Sequence, residues 1–341
     1  MLNPLHLRTL TVVVRFSSFA DAGRRLGYTG SAVSQQMSAL ERQLGVALFE
    51  RDAHSIRPTA AAIEIVERSA AALGSLQGLE DDIERIATGR IGRLRIGSFP
   101  TASEQLLPTA LTRLRQDRPE LDVHLDEDEP APLVAALERR EIDVALLYRY
   151  RGLATRWPRG LGLRPVLVED LFLVRPARAG TGVEAETVTH ETVTHDTRTH
   201  ETVTLEVYAD ATWIATGEGS AGAAMLRQLC RTAGFDPQIS YRSNNYAVIQ
   251  GLVASGLGHA VVPAMAYRPQ PGVIAARVAT PPTTSPTASP TASTAVREVL
   301  LAAAPSTPVE LIDVFETAVR ASATVFARTH RGVRVDRPGT G

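Results

Sequence analysis

Lysine is absent from this chain of 341 residues: all 36 basic residues are arginine. A substitution that complete reads as a genomic composition bias, not a functional choice. The 36 basic and 37 acidic residues leave a formal charge of −1, so no global basic balance advertises nucleic acid. Cysteine occurs once, at Cys230, which excludes an internal disulfide framework and any multi-cysteine zinc or iron–sulfur site. Aromatic residues make up 5%, too few for a platform that stacks single-stranded bases. No apolar run nears the ~18 residues that suggest a membrane span. The first sixteen residues are interrupted by His6, Arg8 and Arg15 and show no signal-peptide core. A soluble, cytoplasmic protein is expected. No G-x-S-x-G, H-E-x-x-H or Walker sequence occurs, so no enzyme, metal or cofactor is expected.

What is present has clear order. Leu7, Leu10 and Val14 form a helical stripe. Ser18, with Asp21 three residues on, reads as a capping box that starts a second helix ending near Leu26. Gly27 to Gly30 form a turn in which Thr29 caps a third helix. Val33, Met37, Leu40 and Leu44 make the buried side of that helix, and Gly45 ends it. Two helices joined by a short Gly-containing turn are a helix-turn-helix. Opposite the buried side lie Ser31, Ser34, Gln35, Ser38 and Arg42, with Gln36 on the flank. This face is polar and free of acid in its first turns, suited to a major groove. A solvated face on an ordinary helical bundle would look the same. Residues 1–60 hold seven Arg against four Asp and Glu, a local excess of three positive charges.

Glu50 to Thr59 predicts a short hairpin carrying Arg51, His54 and Arg57. Ala60 to Thr88 then predicts one long helix. Ile63, Val66, Ala70, Leu73, Leu76, Leu79, Ile83 and Ile86 recur every three or four residues in a narrow seam. Such a seam calls for a partner helix, most simply its own copy in a dimer. From Leu94 the pattern alternates strands and helices as far as Pro263, which predicts α/β layers with largely parallel sheets. Two strands are expected at 163–168 and 170–174, one helix at 106–115, a last helix at 309–325 and a frayed tail from His330. Glu186–Leu205 is a five-residue repeat, ETVTH ETVTH DTRTH ETVTL, and Ala279–Thr294 is rich in Pro, Thr, Ser and Ala. Both compositions predict exposed, mobile inserts. His190, His195 and His200 stand five apart, a spacing that gathers them on no common face. The acidic run Asp126–Glu129 is expected as a solvated strand end, and Cys230 as a buried thiol.

Gly217–Gly222 matches G-x-G-x-x-G between a strand and a helix, the setting of a dinucleotide fingerprint. An NAD(P)-dependent oxidoreductase would use it for pyrophosphate. Glu218 inside the loop opposes that, and the strand ending at Arg242 offers no acid for a ribose. A helix start able to hold an anionic group, or a plain Gly-rich helix start, are the other readings.

Four stretches together resemble the N-terminal winged helix of LysR-type transcriptional regulators: Phe19–Leu26 (FADAGRRL), Ser31–Glu41 (SAVSQQMSALE), Leu44–Arg51 (LGVALFER) and Arg57–Ala60 (RPTA). Leu94–Ser98, Ala233–Pro237 (AGFDP) and Leu252–Gly258 (LVASGLG) with Pro263 resemble later segments of the same family. The resemblance implies an α/β chain in three parts. A winged helix-turn-helix would span 1–60, a dimerising linker helix 61–90, and a periplasmic-binding-protein-like effector domain 91–330. Within the last, one subdomain would take 91–162 and 268–330 and the other 163–267, with inserts at 183–205 and 279–294. Carried over by position, Thr29, Ser31, Ser34, Gln35 and Gln36 would meet DNA from the recognition helix. Arg51, Arg57 and Thr59 would meet it from the wing. Ser98, Thr101, Ser103, Thr216, Ser243 and Asn244 would surround a small polar or anionic effector. Ile63, Val66, Leu73, Leu76 and Ile83 would join two copies, as a dimer or a dimer of dimers. The implied partners are double-stranded DNA, that effector and a second copy. Departures from the family pattern are Gly30 in place of Gln, Gln35 in place of Arg or Lys, and Gly23 in place of Ala; these bear on base preference, not on the fold. A small-solute-binding module that does not bind DNA is the remaining alternative.

Overall fold

The computed structural model describes residues 2–51, 56–88, 92–158, 160–177, 202–280, 293–304 and 307–336. His190, His195 and His200, and most of both low-complexity segments, lie outside the described residues. Contacts divide the chain into two compact units: Met1–Arg95 with Glu120–His124 and Val134–Asp143, and the remainder.

In the first unit α1 (Pro4–Phe16), α2 (Phe19–Leu26) and α3 (Gly30–Leu44) precede a hairpin of β1 (Phe49–Arg51) and β2 (Ile56–Pro58), and then α4 (Ala60–Thr88). The first three helices each begin on a side-chain cap. The Asn3 amide oxygen accepts from the Leu5 N–H, Ser18 Oγ from the Asp21 N–H, and Thr29 Oγ1 from the Ala32 N–H. Gly27 and Gly45 close α2 and α3 in the left-handed conformation, at φ 74° and 71°. Gly23 has a different use. A Cβ there would lie 2.6 Å from the Tyr28 carbonyl oxygen, so glycine lets the turn pack onto α2. Leu10, Val13, Val33, Met37, Leu40 and Leu48 form the core of this bundle. The Glu41 carboxylate, at the end of α3, accepts from the Leu48 and Phe49 N–H groups at 2.8 and 3.4 Å and so ties the hairpin to the helix.

Beyond α4 come β3 (Arg93–Ser98), α5 (Pro100–Gln105), α6 (Leu107–Asp117), β4 (Asp122–Glu127), α7 (Pro130–Glu138), β5 (Val144–Tyr150) and β6 (Gly162–Pro176). They are followed by β7 (Thr202–Val203), β8 (Thr212–Ala215), α8 (Ala221–Thr232), β9 (Gln238–Arg242), α9 (Tyr246–Ala254) and β10 (Ala260–Pro263). The last elements are β11 (Val273–Thr280), β12 (Ser293–Thr294), β13 (Val296–Ala303), α10 (Val309–Thr329) and β14 (Val333–Val335).

β6 is the spine. Residues 162–170 pair with β13, and 171–176 pair with β10 and β11, so a single strand runs through both halves of the sheet. The sequence suggested two strands, 163–168 and 170–174, broken at Glu169. The strand is continuous because the Glu169 and Asp170 carboxylates are buried against arginines. The expected largely parallel sheet is instead mixed. β10, β11, β13 and β14 all lie antiparallel to β6, and β13 lies antiparallel to β5. β3 with β5, β7 with β11, and β8 with β9 are parallel. The difference begins at β10, already antiparallel to β6, and continues after Gly272, where β11 and β13 follow one another without a crossover helix among the described residues.

Three further expectations change. The helix at 106–115 is preceded by a separate turn of helix, α5. As far as Asp336 the tail from His330 is ordered: β14 pairs with Leu167–Glu169, and Arg334 reaches Asp170 at 2.8 Å. The inserts are shorter than their composition implied. Thr202–Val203 joins the sheet beside β11, Leu205 is buried, and Ala279 and Thr280 pair with Thr294 and Ser293.

Candidate functional site

The second helix of the helix-turn-helix, α3, leaves Ser31 and Gln35 exposed and Ser34 partly so. Its cap is a small hydroxyl network in which Thr29 Oγ1 lies 2.9 Å from Ser31 Oγ while accepting the Ala32 N–H. Gln36 is placed differently from the sequence expectation. Its amide oxygen accepts the Thr9 hydroxyl at 2.7 Å, which holds it against α1. Thr59 is likewise occupied. Its hydroxyl donates to the Ala47 carbonyl and accepts the Ala62 N–H, so it caps α4. In the hairpin, Arg57 is exposed opposite Glu50, and Arg51 pairs through its backbone with Ile56.

The seam of α4 divides. Val66 and Leu73, with Ile65, pack against the core of the helix-turn-helix. Ile63, Leu76, Leu79 and Ile83 are exposed. Arg8 on α1 reaches Gln77 and Glu80 at 3.0 and 3.3 Å, which fixes the two helices together.

In the second unit a cavity opens beside β6, lined by Tyr150, Leu171, Ala215, Thr216, Gly222, Met225, Leu226, Val261 and Pro263. Of the six expected effector residues, only Thr216 lines it. Thr216 Oγ1 shares a 2.7 Å hydrogen bond with Ser220 Oγ, the cap of α8. Ser243 folds back on Asn245, and Asn244 accepts the Gly217 N–H at 2.8 Å. Ser98 and Thr101 are buried, and Ser103 Oγ is buried without a hydrogen-bond partner among the described residues.

Thr101 leads to a cluster that the residue pattern did not reveal. Its hydroxyl accepts from Arg297 Nη2 at 2.8 Å. Arg297 Nε donates to Glu169 at 2.6 Å, and the other Glu169 oxygen accepts the Met265 N–H at 2.7 Å. The guanidinium lies over the rings of Phe99 and Tyr148, 5.1 and 4.7 Å from their centroids. Both ionic side chains are at least 98% buried. Burial pushes the Glu169 carboxyl up from its ordinary value, against the pull of Arg297. Burial also raises Tyr148, Tyr150 and Tyr246. Glu129, expected as part of a solvated strand end, accepts the Tyr148 hydroxyl at 2.6 Å. The only sequence signal for this cluster was an acidic pair inside an apolar strand.

The glycine loop at 217–222 holds its own ion pairs. The Glu218 carboxylate sits 2.7 Å from both Arg227 and Arg242, and the Arg227 hydrogen bond leads in lowering its pKa. Cys230 is buried, and burial pushes its thiol up to about 12. No group of three or more His, Cys, Asp or Glu among the described residues is arranged to hold a metal.

Residues 5–63 match the family model of the bacterial regulatory helix-turn-helix protein, lysR family, and residues 87–289 match the LysR substrate binding domain. The HTH-type transcriptional regulator CbbR of Sinorhizobium medicae is 36% identical over 174 residues, which are 51% of this chain and 53% of that protein. The match thus spans about half the length of that relative. A full-length OxyR variant from Pseudomonas aeruginosa has the same fold at a TM-score of 0.62 and 21% identity, covering 99% of both chains. Full-length CbnR complexed with its target DNA has it at 0.60 and 22%, covering 94% of this chain and 100% of that one. The chain belongs to the LysR family of bacterial transcriptional regulators.

Proposed function

We propose that the protein binds double-stranded operator DNA as a dimer or dimer of dimers, in the cytoplasm, and regulates transcription in response to a small effector, without catalysis. The observation that carries this reading is α3: a capped helix with a polar face, no acid in its first turn and a hairpin beside it. Ser31, Ser34 and Gln35 are the residues assigned to base edges and phosphates, with the helix N-terminus favouring a phosphate. Arg57 and Arg51 are assigned to phosphate or minor groove. Gln36 and Thr59, already hydrogen-bonded inside the domain, support these residues from behind. The exposed part of the α4 seam, Leu76, Leu79 and Ile83, is assigned to the second copy. The effector is assigned to the cavity between Tyr150 and Thr216. The parts of the chain follow as 1–60, 61–90 and 91–330. The oxidoreductase alternative has no support from the glycine loop, where Glu218 keeps both neighbouring arginines.

A gel-shift titration tests the DNA reading, using the DNA upstream of the coding sequence and a scrambled fragment of equal length. Gln35→Ala should weaken the upstream complex by ~1–3 kcal/mol and leave the scrambled one nearly unchanged. Arg57→Ala should weaken both and lower the salt slope by about one. Equal affinity of the wild type for the two fragments, or no effect of Gln35→Ala, would refute it.

A further inference from the structure

Of the two effector classes that the sequence left open, polar and anionic, the cavity selects one. Its walls are mostly apolar: Leu171, Met225, Leu226, Val261 and Pro263. Its polar groups are the hydroxyls of Tyr150 and Thr216 and the first turn of α8 at Gly222. No charged side chain among the described residues lines it. Two cations stand behind its wall. Arg242 Nη1 donates to the Thr216 carbonyl at 3.1 Å and is paired with Glu218, and Arg297 stands beside Tyr150. The Arg297 guanidinium is spent on Glu169 and Thr101, and its faces are covered by Phe99 and Tyr148. Glu129 on the Tyr148 hydroxyl adds a negative charge to the same neighbourhood. Arg227 and Arg242 are turned to Glu218, and Arg268 to Glu104.

A carboxylate or phosphate entering here would lose its water and meet no cation on the cavity wall among the described residues. The α8 N-terminus offers only roughly half an elementary charge. Ser220 Oγ already takes one of its N–H groups, that of Ala223. An unpaired buried charge costs far more than a terminus of that strength returns. A neutral oxygen acceptor carries no such penalty, and a hydroxyl or backbone N–H can satisfy it. We infer that the effector is an uncharged small molecule with an apolar body and an oxygen acceptor, of the amide, ketone or ester class. This rests on the assignment of the cavity as the effector site.

The test uses the full-length protein with matched probes, benzamide against benzoate and butyramide against butyrate, at about pH 7.5, where both acids are ionised. Binding is read by ligand-observed NMR and by the shift in melting temperature. Each amide should bind at least about tenfold more tightly than its acid. A side chain at Gly222 enters the space between Thr216 and Tyr150: its Cβ would lie 2.8 Å from the one hydroxyl and 3.6 Å from the other. Gly222→Val should therefore abolish amide binding. Glu169→Gln releases the guanidinium and should bring the acids level with the amides. If that variant does not fold, the wild-type comparison with Gly222→Val decides. Acids binding as well as amides, with both lost in Gly222→Val, would overturn the uncharged class and leave the cavity as the effector site. No saturable, Gly222-sensitive binding of any probe would overturn the cavity assignment and the inference with it.

Discussion

Replacing Arg297 by Met isolates the energetics of the second unit. Methionine keeps much of the aliphatic stem but removes the guanidinium from between Phe99 and Tyr148. The Glu169 carboxylate then stays fully buried with a single partner, the Met265 N–H. Breaking one side of a buried ion pair costs about 3–5 kcal/mol, because the remaining charge is uncompensated. At roughly 2–4 °C per kcal/mol for a domain of this size, melting should fall by about 6–20 °C. The pH dependence gives an internal check. Burial already raises the Glu169 carboxyl, and the variant removes the cation that opposes it. The native variant therefore binds the proton more readily than the unfolded chain does. The stability this contributes is present below the unfolded carboxylate value and is lost as pH rises through the folded one. The deficit of Arg297→Met should accordingly be smallest at acid pH. The double variant Arg297→Met with Glu169→Gln, which removes both charges, should recover more than half of the loss. Urea denaturation followed by Trp213 fluorescence measures all three proteins. A single-variant cost below about 1 kcal/mol, or a double variant no better than the single, would refute the reasoning.

The divided seam of α4 separates two leucines that look alike in the sequence. Leu79→Asp should dissociate the proposed dimer at micromolar concentration with little loss of winged-helix stability, because Leu79 is 54% exposed. Leu73→Asp should unfold the winged helix, whose core it covers; sedimentation paired with thermal melting distinguishes the two, and identical behaviour would contradict the division. Cys230 should ignore a thiol-specific disulfide reagent at about pH 8 until the chain is unfolded, since a thiol pushed up to about 12 holds roughly one part in ten thousand as thiolate there. Rapid labelling of the native protein, read by the absorbance of the released thiolate, would show that the helix around Cys230 opens.

Much of the first unit was legible because its signals are local. Ser18, Thr29 and the two closing glycines each act within a few residues of themselves, and the helix limits they imply are those observed. The hairpin and α4 followed from the same short-range logic. The second unit was harder because its decisive contacts are long-range. Glu169 read as a break between two strands and Asp170 as the start of the second, yet their partners stand more than a hundred residues away, on Arg277, Arg297 and Arg334. The strands Val273–Thr280 and Val296–Ala303 flank a low-complexity segment and carry no alternation, since both faces of a central strand are buried. With these strands unseen, the alternation that remained implied a parallel sheet.

The candidate sites divide along the same line. The polar face of α3 is a matter of helical spacing, and Ser31 and Gln35 stand where that spacing put them. What spacing could not tell is which polar groups the fold itself consumes. Gln36 and Thr59 satisfy their own domain, and Thr101 satisfies Arg297. The cavity proposed for the effector departs from the sequence expectation more fully. On the proposed reading its character comes less from the hydroxyls beside it than from Glu169 and Glu218, which neutralise Arg297 and Arg242 behind its wall. A buried carboxylate on the strand common to both halves of the sheet thus bears on two properties at once. On the proposed reading it sets which charge the cavity accepts, and it joins α5, through Arg297 and Thr101, to the turn at Met265.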